Sequence, residues 1–175
     1  EEGGNNYQFY SAKMTELVLE HVVMEANLRK ALENEEFVVF YQPQMNGTDD
    51  TLIGMEALVR WDHPKEGMVS PAKFIPLAEE TGLIVDLDLW VMKRGMHQMA
   101  SWYAQGLNPG VLALNLSIKQ LQNKAFFSIL KASLQETGCK PEWVEFEVTE
   151  SQIMKNPQEA VLLLGQFSTL GIELA

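Results

Sequence analysis

From residue 37 onward strand-like and helix-like patterns alternate, three of the strand patterns carry one apolar and one small or polar face, and a short polar loop joins the first two strands. These observations predict an α/β fold, a TIM-like (β/α)8 barrel whose first strand runs antiparallel to the others. In an open doubly wound sheet the central strands would be apolar on both sides. A complete barrel takes about 250 residues. About five strands fall before Ala175, so the barrel is expected to be C-terminally incomplete.

The elements follow in order. Residues 1–13, with Gly3-Gly4-Asn5-Asn6 ahead of Tyr7-Gln8-Phe9-Tyr10, read as the tail of a preceding domain. Met14, Leu17, His21, Met24, Leu28 and Ala31 recur at spacings of three and four, which predicts a linker helix over 14–36 with one sticky seam. The seam is expected either to pack on the next domain or to pair with its copy, and His21 is read as a packing residue within it. Phe37 to Gln42 is β-branched and aromatic and stops at Pro43, a first strand. Asn46-Gly47 and Asp49-Asp50 supply turn chemistry before a second strand at 52–61.

Ser70-Pro71 marks a helix start, with Ser as N-cap, that stops at Gly82. A second helix is expected from Asp86 or Asp88 to Gly106, a strand at 111–117, a helix over 119–137, a strand at 143–149, a helix over 157–170 and a last strand from Gly171.

Composition narrows the function. The chain of 175 residues is 46% hydrophobic and 21% charged, the mixture of a globular domain. No apolar run reaches the length of a membrane span, and the acidic start is not a signal peptide. A cytoplasmic location with no membrane contact from this segment is expected, whatever anchors a parent protein carries elsewhere. The single cysteine, Cys139, is read as a small buried hydrophobe. A formal net charge of −11 argues against DNA or RNA as a partner, since no basic patch faces a phosphate backbone. A small anionic ligand stays open where metal ions reverse the local field.

The stretch Gly54-Met55-Glu56-Ala57-Leu58-Val59-Arg60-Trp61 carries two charges on one strand face. Glu56 and Arg60 suit either an internal salt bridge or a site that holds a cation beside an anionic group. Asn115 and Glu147 lie on the polar faces of their own strands. Two carboxylates and a carboxamide are hard oxygen donors that match Mg2+ or Mn2+ better than zinc. Each residue taken singly also reads as a hydrogen-bonded polar lumen residue.

Glu56-Ala57-Leu58-Val59-Arg60-Trp61 with His63-Pro64, Phe74 to Gly82, Asn115-Leu116-Ser117 and Glu147-Val148-Thr149-Glu150 together resemble the EAL domain, the cyclic di-GMP phosphodiesterase family. The resemblance covers 37–175, and Tyr41-Gln42-Pro43 is also similar to the family pattern. Residues 3–10 resemble the close of a GGDEF domain, the diguanylate cyclase family.

The resemblance implies hydrolysis of cyclic di-GMP to linear pGpG by two-metal catalysis. It implies metal ligation by Glu56, Asn115 and Glu147, phosphate contact by Arg60, a groove side lined by Gln42 and Leu58, and a loop-stabilising role for Glu150. The family's aspartate pair, lysine and general base are expected beyond Ala175, so a chain ending there is expected to be inactive alone. An upstream GGDEF-like domain and a homodimer, through the barrel or the linker helix, are the expected protein partners. A catalytically inactive EAL domain acting as cyclic di-GMP receptor or scaffold is the competing reading.

Overall fold

The computed structural model describes residues 12–148 and 157–175. It opens with helix α1 (Ala12–Glu33), then strands β1 (Phe37–Met45), β2 (Leu52–His63) and β3 (Gly67–Val69). Helices α2 (Pro71–Thr81) and α3 (Ile84–Ala104) lead to β4 (Val111–Asn115). Helices α4 (Ile118–Leu121) and α5 (Phe126–Thr137) and a 3-10 turn (Pro141–Trp143) lead to β5 (Val144–Glu147), and helix α6 (Pro157–Leu170) to β6 (Glu173–Leu174).

The sheet runs β1-β2-β4-β5-β6, with β3 paired beside β2. β1 is antiparallel to β2, while β2, β4, β5 and β6 run parallel. This is the wall of the expected barrel, with its first strand reversed. The strand-and-helix alternation supplies it: each parallel neighbour needs a crossover, and the helical segments between strands are those crossovers.

Two apolar clusters lie on the helical side of the wall. One joins Ala57, Leu112, Leu114, Val144 and Phe146 to Met92, Met96 and Met99 of α3, to Phe126 and Leu130 of α5 and to Phe167 of α6. The other joins Phe37 and Trp61 to Leu28 and Ala31 of α1, Phe74 and Ala78 of α2 and Leu87 of α3. Trp61 is fully buried, and its Nε1 donates to Glu36 Oε2 at 3.0 Å.

Several elements differ from expectation. β1 does not stop at Pro43 but runs to Met45, because its outer edge in this sheet leaves proline's missing N–H without cost. The loop after Trp61 holds a short third strand that folds back on β2. Ser70 has extended backbone angles and precedes Pro71 at the helix start, yet makes no side-chain cap bond; Gly82 closes α2 in the left-handed region, φ 85, where glycine is free to go.

The helix expected over 119–137 is two helices. Asn123 Oδ1 accepts the Ala125 N–H at 3.0 Å, a local turn that competes with helix continuation. Ser117 belongs not to β4 but to the cap of α4, accepting from the Gln120 N–H. α3 starts at Ile84, ahead of the expected aspartates.

Among the described side chains of the α1 seam, Leu28 and Ala31 are buried, on the α2 side. His21 is exposed, so it does not pack, because the surface that receives the seam ends before it. The tail expected at residues 1–13 falls, up to residue 11, outside the described residues.

Candidate functional site

The pleat separates neighbours in sequence onto opposite sides of the wall. With Ala57, Leu112, Leu114, Val144 and Phe146 turned to the helices, Glu56, Leu58, Arg60, Ala113, Asn115, Glu145 and Glu147 turn to the lumen. Register then decides who meets whom. Gln42 lies opposite Glu56, Glu56 beside Ala113, and Asn115 beside Glu147. Asn115 and Glu147 are the last residues of β4 and β5, the rim where barrels of this kind carry their sites.

The structure brings the three expected donors together. Asn115 Nδ2 donates to Glu56 Oε1 at 2.9 Å. Burial, together with the nearby Glu56 carboxylate, pushes the Glu147 carboxyl above its ordinary range, while a bond from Gln44 opposes the rise. That bond, Gln44 Nε2 to Glu147 Oε1 at 3.5 Å, comes from a residue the sequence did not single out. It depends on Gly54: a Cβ there would stand 2.9 Å from Gln44 Oε1 and 2.6 Å from Val111 O.

Arg60 is not salt-bridged to Glu56. Four residues along a strand separate Cα atoms by about 13 Å, beyond comfortable reach for this pair. Its guanidinium lies over the Phe40 ring, 5.6 Å from the centroid, and Nη1 donates to Val59 O at 2.9 Å. Among the described residues Arg60 has no carboxylate partner, and neither Glu56 nor Glu147 has a lysine or arginine.

Arg60, Leu58, Asn115 and Glu147 line one cavity of about 410 Å3, together with Pro71, Ile75 and Leu87. Gln42 is exposed opposite Glu56 but does not line that cavity. Glu150 lies outside the described residues.

The same cavity holds a second residue missed in the sequence. Asp88 Oδ2 accepts Ser117 Oγ–H at 2.5 Å and Ser117 N–H at 3.2 Å. Burial pushes its carboxyl up to about 6, against the lowering effect of the Ser117 bonds and with a further push from Glu79. Its only signal in the sequence was an aspartate near an expected helix start.

Does this set fit a divalent ion? Among the described residues no three His, Cys, Asp or Glu side chains converge as a group. The donors are two carboxylates and two carboxamides, all oxygen-bearing, and the carboxylates repel one another with no internal cation to compensate. That is the chemistry of a hard-cation site. The residues present fit Mg2+ or Mn2+ in kind.

A parallel wall with acid and amide donors at its rim, beside a guanidinium with no carboxylate partner among the described residues, defines the class: an α/β barrel of the TIM type, here with its first strand reversed. The chain belongs to the EAL domain family, whose profile matches residues 25–175. The cyclic di-GMP phosphodiesterase PdeR of Escherichia coli (strain K12) is 38% identical over 174 residues, 99% of this chain and 26% of its own. The bifunctional diguanylate cyclase/cyclic di-GMP phosphodiesterase MucR of Pseudomonas aeruginosa is 34% identical over 175 residues, 100% of this chain and 26% of its own. The solved PaMucR phosphodiesterase, a c-di-GMP complex, superposes with a TM-score of 0.83 at 35% identity, covering 87% of this chain and 62% of that one. The chain thus spans about a quarter of the length of these curated relatives.

No helix among the described residues is long and apolar enough to cross a membrane.

Proposed function

We propose that this chain is part of a cyclic di-GMP phosphodiesterase that hydrolyses its substrate to linear pGpG, with Glu56, Asn115 and Glu147 holding Mg2+ or Mn2+ for two-metal catalysis. The observation that carries the reading is the meeting of these three side chains from three strands, beside an arginine with no carboxylate partner among the described residues. The relatives named as cyclic di-GMP phosphodiesterases, and a similar structure described as a c-di-GMP complex, support it.

Each residue has a task that its chemistry suits. Arg60 offers a rigid fork of donors to the non-bridging oxygens of a phosphate, held in place by stacking on Phe40. Leu58 gives the cavity wall an apolar surface beside Pro71 and Ile75, suited to a purine face. Gln42, opposite Glu56, presents an amide that both donates and accepts.

The divalent ions, when bound, supply Lewis-acid activation of water and charge stabilisation for the phosphoryl group. In the overall reaction a water oxygen joins phosphorus, one P–O3′ bond breaks and the 3′-oxygen leaves with a proton. Glu150 is read as steadying the adjoining loop.

The same reading extends to the rest of the protein. Residues 1–13 are the end of a GGDEF-like domain, 14–36 the connecting helix and 37–175 the start of the EAL domain, in a cytoplasmic homodimer.

The test uses the full-length protein that contains this chain. Incubated with cyclic di-GMP and Mn2+ or Mg2+, it should release pGpG, resolved chromatographically, and Glu56→Ala should stop the release. A full-length protein that binds the nucleotide without ever cleaving it would overturn catalysis and leave the receptor reading.

A further inference from the structure

Asp88 sits on α3, in a helix that otherwise contributes apolar residues to the core. Its contact lies 29 positions on, at the turn between β4 and α4. Two successive N–H groups just past Asn115 are held there: Leu116 N–H by Glu147 O at 3.0 Å, Ser117 N–H by Asp88 Oδ2 at 3.2 Å. The Ser117 hydroxyl donates to Asp88 and also accepts the Gln120 N–H at 3.2 Å. One carboxylate oxygen therefore ties the outer helix to the turn whose first residue is the amide that bridges to Glu56.

We propose that Asp88 is a positioning residue that fixes Asn115 in its donor geometry by clamping the Ser117 turn. The inference rests on the functional reading above, because it gives Asn115 a ligand to be positioned for. Asp88 does not touch Asn115 itself; it acts through the backbone of the β4–α4 turn. Both Ser117 donors meet the single oxygen Oδ2, whose two lone pairs suffice for them, so the clamp needs an oxygen at that place and not a charge.

The experiment compares full-length wild type with Asp88→Ala, Asp88→Asn, Ser117→Ala and Glu56→Ala. Mn2+ affinity is read by titration calorimetry without nucleotide, and kcat and KM for cyclic di-GMP are measured separately. Asp88→Ala removes the acceptor of both bonds and should weaken Mn2+ binding by about tenfold or more, the usual cost of losing an outer support to a ligand. Asp88→Asn keeps an oxygen at the clamp and should restore affinity to within about threefold of wild type, as expected for a role carried by geometry and not by charge. Ser117→Ala keeps the N–H bond and loses the hydroxyl, so it should fall between them; it also serves if Asp88→Ala fails to fold.

Asp88→Ala and Ser117→Ala that bind Mn2+ like wild type, in a protein where Glu56→Ala does not, overturn the clamp and leave the functional reading standing. Asp88→Asn as damaged as Asp88→Ala also overturns it, since that is the behaviour of a direct ligand. A wild type that binds neither Mn2+ nor cyclic di-GMP overturns both.

Discussion

Phe146 and Glu147 are neighbours in the chain and live on opposite sides of one strand. Phe146 is almost fully buried, with ring centroids of Phe126 and Phe167 at 5.8 and 5.3 Å. Glu147 is half-buried and faces Glu56, Asn115 and Gln44 across the lumen. The same contrast recurs between Ala57 and Glu56 on β2, and between Leu114 and Asn115 on β4. The helical face gathers dispersion and burial; the lumen face gathers like charges that disfavour one another. A strand can carry mutually repelling carboxylates because its other face is packed like a protein interior.

The sharpest way to break this contrast is to exchange the effects of the two faces. Phe146→Ala should cost about 3–5 kcal/mol of stability through the cavity it leaves, seen as a lower denaturation midpoint. Any loss of turnover should then follow only from the unfolded fraction. Glu56→Ala should do the reverse: turnover of the full-length protein falls on the order of a hundred- to a thousandfold, the scale of removing one charge-stabilising group from an active site. Its melting temperature should hold or rise, because Glu147 loses the like charge that raises its pKa.

Asp88 stands between the two faces, and pH separates its two effects. Its folded-state pKa of about 6 lies above the ordinary value of 3.8, so the folded protein holds this proton more tightly than the unfolded chain. Stability from Asp88 is therefore fully present below the unfolded value and is lost as pH rises through about 6, with Glu79 the neighbouring acid that adds to the shift. At neutral pH the ionised form costs up to about 3 kcal/mol. Asp88→Asn should be more stable than wild type above pH 6 by up to that amount, and the gap should narrow on acidification. Urea titrations at several pH values measure it, and a gap that widens on acidification contradicts the assignment.

The polar face was legible because period-two alternation needs no tertiary information. Glu56, Asn115 and Glu147 share the lumen side as soon as their segments are strands, and the short polar loop at 46–51 made the first pair antiparallel. What depended on partners was not legible. Gln44 lay past a proline that reads as a strand end, and only its pairing opposite Gly54 carries it into the lumen. Asp88 reads as one of two starts for a helix; its contact with Ser117 is set by how α3 lies on β4. The seam of α1 continues through His21 in sequence, but a periodic stripe says what is fit to be buried, not where the receiving surface stops.

Gln44 offers the finest probe of the lumen face. Its bond to Glu147 is long, 3.5 Å, so its net worth is below about 1 kcal/mol. Its sign is nevertheless clear: an N–H donated to a carboxylate favours the ionised form, and here it works against burial and Glu56, which both raise the Glu147 pKa. Gln44→Ala removes that opposition, so Glu147 should stay protonated to a higher pH. Cation binding by the full-length protein, followed by Mn2+ titration at stepped pH, should keep its shape and move to higher pH. A midpoint that moves down would mean that Gln44 hydrogen-bonds the neutral carboxyl, and that the amides at this rim do not act together to keep the two acids ionised.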